Sequence, residues 1–116
     1  MTADSGRYVF VVQHRHDRFD LMPFSIARTW REDKGLDIAL YLMYDAVELL
    51  QKDTILKYPD IREAVDALLG SGVPVYACGF CSRACQLAID DYYTGVEVGN
   101  RHVFHALMTE RTPLYW

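Results

Sequence analysis

Three cysteines fall within eight residues, at Cys78, Cys81 and Cys85. Three kinds of chemistry fit such a group. A C-x-x-C pair at a helix start, Cys78 with Cys81, can act as a thiol–disulfide switch. Three thiolates plus a histidine can hold zinc, but three cysteines leading into one helix make poor tetrahedral geometry. A single thiolate can also accept a sulfane sulfur and pass it on by the exchange chemistry of disulfides. A thioredoxin-like arrangement would add a cis-proline strand after the motif, and none is evident.

The cysteines differ in context. Val73 to Ala77 is an apolar run that reads as a buried strand, so Cys78 sits where a strand turns into a helix. Unpaired N–H groups and the helix dipole favour a thiolate at that place. Gly79 lets the backbone bend and leaves the sulfur accessible. Arg83, about one turn on, can help hold an anion. Cys78 therefore reads as the reactive group. Cys85, among Ala84, Leu87 and Ala88, reads as core filler, and Cys81 stands between the two.

The elements that must position these groups follow from periodicity. Tyr8–Val12 and Ile38–Met43 are also short apolar runs, as expected of strands buried on both faces. Phe19, Met22, Ile26 and Trp30 form a helical stripe, with Asp20 as N-cap, Pro23 in the first turn and Gly35 at the end. Asp45 to Lys52 reads as a short helix with Val47 and Leu50 inward. Asp60 and Glu63 form a capping-box pattern ahead of Ile61, Ala64, Val65 and Leu68. A fourth helix is expected over Cys81 to Tyr92. Gly95–Gly99 is a very short strand, Asn100 caps a last helix with Val103, Phe104, Leu107 and Met108 inward, and Leu114–Trp116 closes the chain.

The order βα, βαα, βα, βα, β implies an α/β sandwich with a mostly parallel sheet. Sites in such folds gather at the carboxyl ends of the strands. That rule selects His14 and His16 after the first strand and Asp45 after the second. It selects Cys78 after the third, and Gly99 and Asn100 after the fourth. The histidines could bind an anion or set the Cys78 protonation state, with Arg15 and Arg18 as further anion ligands. A solvated loop is the plainer reading of that segment, and helix capping is the plainer reading of Asp45. His102 and His105 read as surface residues. Tyr92, Tyr93, Tyr115 and Trp116 read as subunit-contact candidates.

Composition sets the outer limits. The chain has 116 residues, 51% of them hydrophobic, with 12 Lys and Arg against 16 Asp and Glu and a net charge of -4. One domain spanning residues 1–116 is expected, with residues 1–6 as a flexible start. Disorder and an interdomain cleft are excluded. The scattered arginines and the mild acidity exclude nucleic acid as the main partner. No apolar run approaches the roughly 20 residues of a membrane span, and the first residues lack a signal pattern. A cytoplasmic protein, without a membrane partner, is the expectation. The residues call for no cofactor.

Three stretches carry a resemblance. Ala39–Leu50 is similar to a second strand and its following turn, Gly72–Cys81 ends in C-G-x-C, and Gly95–Gly99 reads G-V-E-V-G. In that order and spacing the chain resembles the DsrE-like family, which includes DsrE, DsrF, the TusBCD sulfur-relay subunits and the YchN-type small proteins. The resemblance implies a three-layer α/β/α sandwich with a five-stranded parallel sheet. It implies homo-oligomers, commonly trimers or hexamers. It also implies that Cys78 accepts and donates persulfide sulfur between a donor and an acceptor protein, as a sulfurtransferase or sulfur-carrier subunit. One departure is that Cys85 and Gln86 follow Ala84, where the family often has a glycine. Two readings stay open beside the relay: an oligomeric binding module for a small molecule or anion, and the Cys78–Cys81 switch.

Overall fold

The computed structural model describes residues 6–116. Most of the expected flexible start, residues 1–5, lies outside the described residues. Five strands form one sheet: β1 (Arg7–Val12), β2 (Asp37–Leu42), β3 (Val75–Cys78), β4 (Glu97–Gly99) and β5 (Thr112–Tyr115). Their order is β4-β3-β2-β1-β5, and every pairing is parallel rather than mostly so. Val9–Val12 and Ile38–Leu42 are all buried. Strands covered on both faces need apolar residues at every position, which explains the unbroken runs.

The helices are α1 (Met22–Lys34), α2 (Lys52–Ile55), α3 (Pro59–Gly70), α4 (Gly79–Ala84) and α5 (Arg101–Glu110). On one face Phe10 meets Trp30 of α1 edge-on at 5.4 Å, and α1 packs against α3. Phe10 is in register with Leu40, so Tyr41 points to the other face. There its ring meets Phe104 of α5 at 4.9 Å. The result is three layers, helix on sheet on helix.

Several local expectations change. Asp20 does not cap α1: its buried carboxylate accepts from the His16 backbone N–H and from Arg15 Nε. It closes the loop after β1 instead. Phe19 and Met22 are exposed, while Phe24 and Ala27 carry the buried stripe. Residues 44–50 wind as a 3-10 helix and α2 follows, with Val47 and Leu50 buried as expected. The capping box at Asp60 and Glu63 does not form. Pro59 occupies the first helical position, which moves the cap back to Tyr58. Asn100 does cap α5, its Oδ1 accepting from the Val103 N–H at 2.9 Å.

The largest difference is the fourth helix. It starts at Gly79 and ends at Ala84, after which Gln86 turns left-handed at φ 60°. The reversal brings Tyr92 back beneath α4. Its hydroxyl meets Ser82 Oγ at 2.6 Å, and Ser82 donates to the Cys78 carbonyl at 2.6 Å. Tyr92 is thus a buried support of the site and not a subunit-contact residue. No helix among the described residues is long and apolar enough to cross a membrane.

Candidate functional site

Cys78 ends β3 opposite Gly99 of β4 and serves as the N-cap of α4. Its Sγ accepts from the Cys81 N–H at 3.4 Å. The residue is 8% exposed, enough to open into a cleft of about 580 Å³ on the α5 side of the sheet. Tyr41, Met43, Val98 and Phe104 give that cleft apolar walls, and Phe80, which is solvent-exposed, stands at its edge. Arg83, Asn100 and Arg101 supply its polar groups.

Gly79 has a different role from the expected bend. A Cβ there would lie 2.9 Å from the Gly99 carbonyl oxygen, so the glycine lets α4 start against the end of β4. Gly99 works the same way toward β2. A Cβ at Gly99 would stand 2.7 Å from Cε2 of Tyr41. The bare backbone makes room for that ring.

Tyr41 was not among the residues selected from the sequence. Its hydroxyl donates to the Gly99 carbonyl at 3.4 Å and lies close to the Cys78 sulfur. Burial, with Cys78 and Cys81 close by, pushes its phenol far above the usual value. A phenol that keeps its proton is a donor, and its partner here is the Gly99 carbonyl, beside the Cys78 sulfur. The available signal was the hydroxyl itself: a tyrosine inside an otherwise aliphatic buried strand needs a polar partner.

Cys81 is held differently. Its Sγ accepts from the Tyr44 N–H at 3.0 Å, and the residue is buried. Burial pushes its thiol up to about 11, with Cys78 and Cys85 adding to the rise and the Tyr44 bond opposing it. This carries a stability consequence. The folded chain keeps the Cys81 proton beyond the ordinary thiol value of 9.0. Its contribution is therefore full below pH 9.0 and is lost as pH rises toward about 11. Urea midpoints taken at about pH 8 and about pH 10.5 should fall more for the wild type than for Cys81→Ser. Equal falls would show that this thiol is not held protonated by the fold. Cys85 is half-buried, and its thiol is also raised by burial, with Glu48 and Asp45 nearby.

The histidines lie elsewhere. The exposed His14 stacks on Tyr44 at 4.9 Å, and its Nδ1 lies 3.3 Å from Asp45. Asp45 also accepts from the Arg15 N–H and does not line the Cys78 cleft. His16 is fastened through its backbone to Asp20, and Arg15 is committed to the same carboxylate. The fold thus gathers Cys78, Gly79 and Arg83 at the cleft, with Cys81 directly behind. It places His14 and Asp45 together on the Tyr44 side, and leaves His16 apart from both. His102 and His105 are exposed on α5. Among the described residues, no three His, Cys, Asp or Glu side chains converge as metal ligands.

The DsrE/DsrF-like family model matches residues 7–112, which includes β1 to β4, the first residue of β5 and the whole cleft. The chain belongs to the DsrE/DsrF-like family. An uncharacterized protein of Methanopyrus kandleri is 31% identical over 70 residues, 60% of this chain. The matched region spans 58% of that curated relative's length. The YchN protein of Escherichia coli has the same fold, with a TM-score of 0.79, 22% identity and coverage of 95% of this chain and 99% of that one. MTH1491 of Methanobacterium thermoautotrophicum, a protein of unknown function, superposes with a TM-score of 0.73 at 23% identity, covering 95% and 98% of the two chains. The three-layer sandwich is therefore the DsrE/DsrF-like fold.

Proposed function

We propose that this DsrE/DsrF-like protein is a sulfur-relay protein that carries a sulfane sulfur on Cys78. The observation that carries the reading is the placement of one thiol: Cys78 alone of the three cysteines opens into the cleft. Membership of a sulfur-relay-type family supports it.

The chemistry is two exchanges. The Cys78 thiolate attacks the outer sulfur of a persulfide R–S–SH. A new S–S bond forms at Cys78, the old one breaks, and R–S⁻ leaves with the electron pair. The product is Cys78–S–SH. An acceptor thiolate then attacks that outer sulfur and releases Cys78 as a thiolate. No external oxidant or reductant is needed. The Cys81 N–H supplies a hydrogen bond to the sulfur anion that both steps require, and the Tyr41 hydroxyl stands close enough to turn to it. The acceptor is a protein thiol that reaches the open cleft. The exposed Phe80 and Val98 at its edge suit a protein contact, with the acceptor or within a trimer or hexamer.

The raised Cys81 thiol favours this reading over a Cys78–Cys81 switch, because a thiol of about 11 is a poor attacking group at neutral pH. The test is incubation with a persulfide donor followed by mass spectrometry of the intact chain and its peptides. One added sulfur mapped to Cys78 is the expected outcome. Its absence, or its appearance on Cys81 or Cys85 instead, defeats the proposal. Retained ligand binding and phenotype in Cys78→Ser would favour the small-molecule binding module.

A further inference from the structure

The charges around Cys78 run against those of the whole chain. The protein carries a net charge of -4, yet no Asp or Glu lines the cleft, while Arg83 and Arg101 do. Arg7, Arg15, Arg28 and Arg111 are held by carboxylates. Neither Arg83 nor Arg101 enters an ion pair among the described residues. Arg101 also occupies the first turn of α5, where a cation opposes the helix dipole and where no acidic residue offsets it. Two unpaired cations, one at a helix position that costs stability, flank a cleft with a thiol at its base. Such an arrangement is explained by an anion that arrives with the ligand.

The volume says more about that ligand. About 580 Å³ falls within the size range of small-molecule sites, and the walls are mostly apolar. A bare inorganic anion would leave Tyr41, Met43, Val98 and Phe104 uncovered. We infer that the sulfur source that loads Cys78 is a low-molecular-weight organic persulfide bearing carboxylate groups, recognised by Arg83 and Arg101. This rests on the relay reading for the transfer step but not for the recognition. It makes the donor a small molecule, in place of the donor protein expected from the family resemblance. The carboxylates pair with the two guanidiniums, the organic body lies on the apolar walls, and the outer sulfur meets Cys78 Sγ. The exchange is the balanced one above: R–S–SH plus Cys78–S⁻ gives Cys78–S–SH plus R–S⁻.

Recognition can be read without any sulfur transfer. Iodoacetate is anionic and iodoacetamide is neutral, and both alkylate the same thiolate. The ratio of their rates at Cys78, with Cys81 and Cys85 changed to Ser, reports the local field and cancels the thiolate fraction. At about 0.01 M salt the ratio should exceed that of free cysteine by about tenfold, and it should fall toward the free value at about 1 M. The double variant Arg83→Gln, Arg101→Gln should lose the excess, and Arg→Lys at both sites should keep most of it. A ratio equal to that of free cysteine at low salt overturns the inference. Loading from glutathione persulfide should be about tenfold faster than from the persulfide of its diethyl ester. Equal rates, or faster loading from thiosulfate than from glutathione persulfide, overturn the organic-donor assignment. A raised alkylation ratio with no sulfur loaded from any donor would defeat the relay reading while leaving anion recognition intact.

Discussion

Cys78→Ser should abolish sulfur loading, with signal at least about a hundredfold below wild type, while Tm stays within about 3 °C. The two halves have separate causes. Cys78 is the N-cap of α4, and its Sγ accepts from the Cys81 N–H. Serine is a preferred N-cap and can accept the same bond, so the strand-to-helix turn survives. The bonds from Ser82 to the Cys78 carbonyl and from Tyr92 to Ser82 involve no side-chain atom of residue 78 and also survive. What is lost is the nucleophile, since a serine hydroxyl does not ionise near neutrality and forms no persulfide. Cys81→Ser should still load Cys78, because the buried Cys81 sulfur is engaged by the Tyr44 N–H and has a raised thiol. Cys85→Ser should load normally as well. Intact-mass measurements after donor treatment, beside thermal melts, read both halves. Residual loading of Cys78→Ser on the intact fold would move the acceptor role to another cysteine.

Gly99→Ala should be costly in a way its size does not suggest. The added methyl would sit 2.7 Å from Cε2 of Tyr41. That ring cannot simply swing aside: it is 2% exposed and packs on Phe104 at 4.9 Å and Tyr76 at 6.1 Å. Overpacking of this kind costs roughly 1–3 kcal/mol, which lowers Tm by about 4 °C or more. The displaced ring carries its hydroxyl away from the Gly99 carbonyl and the nearby Cys78 sulfur, so alkylation of Cys78 at neutral pH should slow. Tyr41→Phe separates the two effects. It keeps the ring and loses the hydroxyl, so stability changes little, while alkylation falls by about tenfold if that hydroxyl turns from the Gly99 carbonyl to the charged sulfur. If Gly99→Ala melts and alkylates like the wild type, Tyr41 is not pinned between β4 and α5. If Tyr41→Phe alkylates at the wild-type rate, its hydroxyl does not act on Cys78.

The contrast between these variants reflects what local sequence can encode. Cys78 stands at the end of an apolar run and before a helix, and both features lie within a few residues of it. The same is true of Asn100 and its bond to Val103. The paired faces of β1 and β2 were legible because burial on both sides requires unbroken apolar runs. Asp20 misled because an aspartate before a helical stripe is a cap only if the loop leaves it free. Here Arg15 and His16, in that same loop, claim its carboxylate. Tyr92 misled because the apolar spacing after Cys81 suits a helix, whereas Gln86 reverses the chain and buries the ring.

By itself the sequence determined the strand–helix alternation, the strand-end position of Cys78 and the family pattern, since each depends on neighbours along the chain. Only the tertiary structure decided what surrounds the sulfur. Tyr41 and Gly99 are 58 positions apart, and they meet because β2, β3 and β4 lie side by side in one register. Arg83 and Arg101 share a cleft because α4 and α5 both start at the carboxyl edge of the sheet. His14 and His16 fall away from it because Asp45 and Asp20 hold their loop elsewhere. Lateral strand order sets these meetings, and it is fixed by packing over the whole sheet rather than by any short pattern.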